Sequence, residues 1–253
     1  MRANPALAKL RAGRVVSGPF LSYGSPDLAE QVAHLGFDWV ALDWQHGQWT
    51  ETTLNDALAR FLAVDTIPLV RVKGHEPGTI NRVLDMGAMG VIVPMVQNAE
   101  QARAAVQAAR YPPLGLRSGG GVRLPLLSGS DSAAYFARAN DEILLAAMVE
   151  TREAIANVRT IMAVPGIDVV FIGPGDLMLD VKAGGHDEAS HESLVQQVLA
   201  AARETGTPAG LPCPTREVAE QRIAQGFRFI HYGSDHGILM AGLREVLDHV
   251  RGW

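Results

Sequence analysis

Glu150, in Met-Val-Glu-Thr-Arg, and Asp176, in Gly-Pro-Gly-Asp-Leu, each follow an apolar run that reads as a buried β-strand. Two carboxylates at such exits suit a divalent cation. Hard ions such as Mg²⁺ take oxygen ligands and commonly keep waters, so two protein carboxylates suffice, whereas zinc more often recruits His or Cys. If residues 143–149 and 168–172 are neighbouring parallel strands, about 4.8 Å apart, the two side chains can share one ion. An acid at either position is equally suited to capping the helix that follows, which is the alternative for one carboxylate taken alone.

Apolar strand-like runs recur at residues 15–21, 39–42, 67–72, 91–93, 143–149, 169–172, 208–211 and 229–232. Between them lie segments with helical spacing, such as Leu28, Val32 and Leu35, or Leu54, Leu58, Phe61 and Leu62. Gly36, Gly87, Gly166 and Gly226 each stand where a helix should end before a strand. This alternation predicts an α/β fold, a (β/α)₈ TIM barrel forming a single domain over residues 1–253. A doubly wound open sheet is the competing topology. In a barrel the chemistry belongs at the C-terminal strand ends, where both acids fall.

The rhythm breaks at residues 111–140, which read as one long loop. Pro112, Pro113, Gly115, Gly119, Gly120 and Gly121 exclude regular structure over much of it. Arg117 and Arg123 are candidate anion ligands there, but the glycine run lacks the Lys-Ser/Thr of a nucleotide P-loop. A formal charge of -5 gives no basis for nucleic-acid binding, and no apolar run reaches the 18 or more residues of a membrane span. The single Cys213 cannot form an internal disulfide, and the first residues lack the apolar core of a secretion signal, so the expected location is cytoplasmic.

Further motifs join these in order: Leu42-Asp43-Trp44-Gln45-His46-Gly47, Val70-Arg71, and Asp85-Met-Gly-Ala-Met-Gly-Val-Ile-Val-Pro-Met-Val. With Tyr-Pro-Pro-Leu-Gly-Leu-Arg-Ser, Val-Glu-Thr-Arg and Gly-Pro-Gly-Asp-Leu, the set resembles the metal-dependent class II pyruvate aldolases of the 4-hydroxy-2-oxoheptane-1,7-dioate aldolase type, over nearly the whole chain. The resemblance implies reversible cleavage of 4-hydroxy-2-oxo acids to pyruvate and an aldehyde through a metal-bound enolate. It implies that Glu150 and Asp176 hold Mg²⁺, Mn²⁺ or Co²⁺, that His46 serves as base through a water, and that Arg71 stabilises the oxyanion. Gly175 would offer its N–H to the substrate carboxylate, with Arg71 and Asp176 also at the substrate. Arg71 also suits an ion pair with Asp43, and the two uses are compatible.

Gln45 stands where the type enzyme has glutamate, and Met148 replaces a glutamine, so the pocket should differ. Trp44 either lines the aldehyde site or packs beneath a loop. The resemblance also assigns Asp85 the task of raising the basicity of the histidine. Yet Asp85 precedes the fourth strand, at the mouth opposite His46, and a five-residue strand spans about 17 Å. A neighbouring subunit would have to supply it, a geometric reason to expect an oligomer; the alternative for Asp85 is a solvated residue or a cap near Gly87. The resemblance implies a homohexamer, a trimer of dimers that exchange the last helix. Oxaloacetate decarboxylation through the same enolate is the alternative activity, and a noncatalytic barrel binding an acidic metabolite is the reading from a different class.

Overall fold

The computed structural model describes residues 1–251. Eight parallel strands close in sequence order into a barrel: β1 (Val16–Leu21), β2 (Trp39–Asp43), β3 (Ile67–Arg71), β4 (Gly90–Val93), β5 (Leu144–Val149), β6 (Val169–Ile172), β7 (Ala209–Cys213) and β8 (Phe229–Ser234). Closure excludes the open sheet. Buried on both faces, strands β2 to β6 read as largely apolar runs, and this is why the sequence pattern located them, whereas β8 is buried only at its start, Phe229 and Ile230. Gly36, Gly87, Gly166 and Gly226 all adopt positive φ (88°, 113°, 99° and 123°), as helix-ending glycines should.

Helices wrap the barrel between strands: α1 (Pro5–Arg11), α2 (Pro26–Ala33), α3 (Glu51–Arg60), α4 (Pro77–Asp85), α5 (Ala99–Ala109), α6 (Leu124–Ser128) and α7 (Ser132–Glu142). They continue with α8 (Arg152–Ala156), α9 (Val158–Met162), α10 (Pro174–Ala183), α11 (Glu188–Thr205), α12 (Arg216–Gln225) and α13 (Asp235–Val250). Aromatic rings fill the barrel interior. Trp39 stacks on Phe229 at 4.5 Å, Phe171 meets Phe229 edge-on, and Phe20 stacks on both Phe171 and His231. Offset and edge arrangements of this kind add to the burial energy of the rings themselves. Among the described residues no helix is long and apolar enough to cross a membrane.

The expected long loop at 111–140 needs correction. Irregular chain occupies residues 111–123, but α6 and α7 fold beyond it. The proline and glycine signals end at Gly121. Pro125 then suits the first turn of α6, Asp131 caps α7 by accepting from the Ala134 N–H, and Tyr135 and Ala139 bury its inner face. Arg117 and Arg123 are not anion ligands. Arg117 is buried, donating to Asp85 at 2.7 Å and to the Tyr135 hydroxyl at 3.2 Å, with its guanidinium over the Tyr111 ring. Arg123 donates to the Asn55 and Met86 carbonyls. Both cations hold the loop against its own barrel.

Candidate active site

β5 and β6 are neighbours in register, Val149 opposite Ile172, so Glu150 and Gly173 leave the barrel side by side. Glu150 does not cap a helix; the Thr151 side chain does that for α8 by accepting from the Ala154 N–H. Asp176 sits in the first turn of α10, whose N-cap Gly173 supplies no side-chain acceptor. Glycine is required at 173, because a Cβ there would lie 2.2 Å from the Glu150 carboxylate. Pro174 has no N–H, so the backbone donors of Gly175 and Asp176 stand at an uncapped helix start, a ready anion-binding position. A Cβ on Gly175 would meet nothing within 4 Å, leaving open space for a ligand.

Glu150 is 2% exposed and accepts one hydrogen bond at 2.8 Å, from the Met95 N–H. Met95 presents that donor from a left-handed backbone, φ 55°, unusual for a residue with a side chain. Burial pushes the Glu150 carboxyl up to about 7; the Met95 N–H opposes the shift, and the neighbouring Asp176 carboxylate adds to it. The buried Glu150 carboxylate, with one backbone donor, beside the exposed Asp176 carboxylate forms a donor set that a hard cation would neutralise. The residues therefore fit a divalent metal, to which they would supply two carboxylates.

Asp43, buried at the end of β2, organises the opposite wall. It receives Nε and Nη2 of Arg71 at 2.8 and 2.6 Å, a bidentate pair, and the backbone N–H of His46 at 3.2 Å. One carboxylate thus fixes both the guanidinium plane and the turn carrying the imidazole. The Arg71 side chain also lies over the Phe20 ring, 5.1 Å from its centroid. Arg71, His46, Glu150, Gly175 and Asp176 all line one cavity of about 240 Å³ at the C-terminal mouth, floored by Phe20 and Phe171.

Asp85 is not there. It ends α4, before β4 begins, and is held by Arg117 at the opposite mouth of the same chain. It is therefore neither a free solvated residue nor a cap. Trp44 is buried with the Lys73 ammonium above its ring and is not among the residues lining the cavity, which favours packing over recognition. Met148 does line the cavity, whereas the Gln45 side-chain oxygen is buried without a partner.

His231 and Met95 belong to the site and were missed in the sequence. His231 follows Phe229 by two in β8, so both side chains point inward, and that alternation was the available signal. Its Nε2 lies 2.8 Å from the Gly233 carbonyl, which can only accept, so Nε2 carries a proton. Burial lowers its pKa to about 4 despite that bond, and Arg71 lowers it further. Met95 carried no comparable signal, since nothing about a methionine announces positive φ.

A family model described as HpcH/HpaI aldolase/citrate lyase matches residues 17–241 of the chain. The 4-hydroxy-2-oxovalerate aldolase of Novosphingobium aromaticivorans is 39% identical, over 99% of this chain and 94% of its own length. A 4-hydroxy-2-oxo-heptane-1,7-dioate aldolase of Escherichia coli is 35% identical over 93% and 90%. Among solved structures, an HpcH/HpaI aldolase/citrate lyase family protein of Burkholderia cenocepacia superimposes with a TM-score of 0.90 at 29% identity, covering 98% of this chain and 100% of that one.

Proposed function

The chain belongs to the HpcH/HpaI aldolase/citrate lyase family, and on that premise we propose that it reversibly cleaves 4-hydroxy-2-oxo acids to pyruvate and an aldehyde, using Glu150 and Asp176 to hold Mg²⁺, Mn²⁺ or Co²⁺. The observation that carries this reading is the convergence of those two acids with Arg71, His46 and the uncapped start of α10 in one cavity. A divalent cation, when bound, supplies the positive charge that makes the methyl group beside a keto carbon easier to deprotonate.

The chain's own residues account for the rest. The Gly175 N–H binds the pyruvate carboxylate at the helix start. Arg71 has Nε and Nη2 committed to Asp43, leaving Nη1 with no partner among the described residues and able to donate to the developing oxyanion. His46 moves the methyl proton, directly or through one water. Phe20 and Phe171 keep bulk water from the floor of the cavity. Pyruvate release from 4-hydroxy-2-oxo acids, compared with release from oxaloacetate, tests the assignment. Turnover of oxaloacetate alone would replace the aldolase with a decarboxylase, and full activity in rigorously metal-free protein would remove the cation from the mechanism.

The same reading includes an oligomer, a homohexamer that shares its sites between subunits. Two surfaces support it. None of the residues of α13 is buried, and Ile238, Leu239, Leu243, Val246 and Leu247 expose apolar side chains. Leu114, Leu116, Val122 and Leu126 do the same around the loop that carries Arg117. Such contiguous apolar faces mark interfaces. Asp85 would then serve the His46 of a neighbour. Mixed oligomers of Asp85→Ala and His46→Ala subunits, each inactive alone, should recover part of the activity; no recovery in verified mixed oligomers would sink the shared site.

A further inference from the structure

A cavity of about 430 Å³ lies at the N-terminal mouth, between α1, α11 and the turns that enter β6, β7 and β8; neither α13 nor the loop at 111–123 contributes to it. Three arginines line it: Arg228 is half-buried, and Arg11 and Arg203 reach it from the exposed rim. Carbonyls hold most of their bonds, which fixes the guanidinium groups without cancelling their charge. Arg203 donates through Nη2 to the Gln225 carbonyl at 2.7 Å, and Arg228 donates through Nε to Gly13 at 3.0 Å and through Nη1 to Ile223 and Phe227 at 3.0 and 2.9 Å. Arg11 donates through Nη1 to the Asp141 carbonyl at 2.9 Å and through Nη2 to Asp168 at 3.3 Å. Asp168 is the one acid in the lining, and it already accepts from Arg110 at 2.8 Å and from the Leu145 N–H at 2.9 Å. Among the described residues neither Arg203 nor Arg228 has a carboxylate partner, and Nε and Nη1 of Arg203, Nη2 of Arg228 and Nε of Arg11 have no acceptor. Capping the end of α12 accounts for the bonds to Ile223 and Gln225. It does not account for those remaining donors, nor for an arginine of α1 on the same cavity.

We propose that this cavity is a second binding site, separate from the aldolase centre, for a compact oxyanion that carries two or more negative charges. Planar guanidinium donors match the oxygens of phosphoryl and carboxylate groups, and the volume suits a small metabolite. The Thr207 hydroxyl is committed to the Met162 carbonyl, so recognition falls to the arginines. A single carboxylate can meet only part of that charge. A second charge on the same ligand meets a second guanidinium, so a multivalent ion should bind at least about tenfold more tightly than a monovalent one. The bound ion would join Arg11, Arg203 and Arg228, and so tie α1 and α11 to the start of β8 across the mouth. A ligand held by the folded chain alone raises its stability by mass action.

The test is calorimetric titration of the purified protein with inorganic phosphate, tricarballylate and acetate, in Mg²⁺ and saturating pyruvate so that the active site is filled. The expected result is one phosphate or tricarballylate per chain, bound at least about tenfold more tightly than acetate. Whichever of the two binds more tightly identifies the ligand as phosphoryl or polycarboxylate. Arg203→Glu, a change on the exposed rim that touches no group of the aldolase site, should weaken this binding by more than about tenfold and remove the rise in unfolding temperature that the ligand gives the unmodified protein. Arg11→Gln, from a different helix, should weaken it by less, and having two variants guards against one that fails to fold. No binding of either multivalent ion at millimolar concentration, acetate bound as tightly as they are, or an affinity unchanged in both folded variants overturns the site. So does binding that appears only when pyruvate is left out, which would place the ion at the start of α10 instead. None of these outcomes bears on pyruvate release from 4-hydroxy-2-oxo acids, which tests the aldolase reading separately.

Discussion

The two mouths of the barrel differ in one buried charge. At the N-terminal mouth every deeply buried cation is matched. Arg110 donates to Asp168 at 2.8 Å and to the carbonyls of Ile143 and Gly166, and Arg117 donates to Asp85 and Tyr135. At the C-terminal mouth Asp43 is likewise matched by Arg71, but Glu150 lies beside Asp176, a like charge, with one backbone N–H and the more distant Arg71 for support. The first arrangement is what stability requires of a buried ion; the second is tolerable only if something else completes it. The charges that the fold leaves unmatched mark the site more clearly than the charges themselves.

The sharpest way to break this contrast is to remove what completes the exit mouth. Chelation should abolish activity, and Mg²⁺, Mn²⁺ or Co²⁺ should restore it. Asp176→Asn should weaken metal binding, read by calorimetry, by more than about tenfold without unfolding the barrel. Unchanged affinity would reject Asp176 as a ligand. Next in size, His46→Ala should slow exchange of pyruvate's methyl protons, followed by NMR in D₂O, by about 10² to 10⁴-fold. This assay reads proton transfer before any aldehyde is chosen, so normal exchange would remove the base assignment.

Stability should separate the mouths in the opposite sense. Arg110→Met leaves Asp168 with only the exposed Arg11 and the Leu145 N–H, and should cost about 3 kcal/mol in denaturant unfolding, the low end of what removing one member of a buried pair does. Glu150→Gln in metal-free protein above pH 7 should cost nothing or stabilise, because it removes a buried charge that faces a like charge. Equal losses in the two variants would erase the distinction between structural and functional charge.

The smallest effect concerns His231. Its folded pKa, about 4, lies below the ordinary 6.5, so between those values the unfolded chain binds a proton that the folded chain refuses. Stability should therefore fall as pH drops from about 6.5 to about 4 and gain no further loss from this group below that. His231→Phe, which keeps a ring against Phe20, should flatten that part of the pH–stability curve, and an unaltered slope would assign it to other groups.

The sequence by itself determined the eight strands, their order and which residues stand at their exits. Buried parallel strands are written as local apolar runs, and consecutive βα units become neighbours in a barrel. From that alone, Glu150 and Asp176 had to meet, and Asp85 had to lie at the other end. The tertiary structure decided what surrounds them. Asp43 serves both Arg71 and His46 because β2 and β3 pair in register; Met95 reaches Glu150, 55 residues away in the chain, through a backbone angle that its side chain does not encode. The loop at 111–140 gained α6 and α7, and Arg117 turned inward, because Tyr111, Tyr135 and Asp85 converge around one guanidinium. Periodicity is a property of neighbours along the chain, whereas a hydrogen bond, a shared wall or a matched charge depends on residues that only folding brings together.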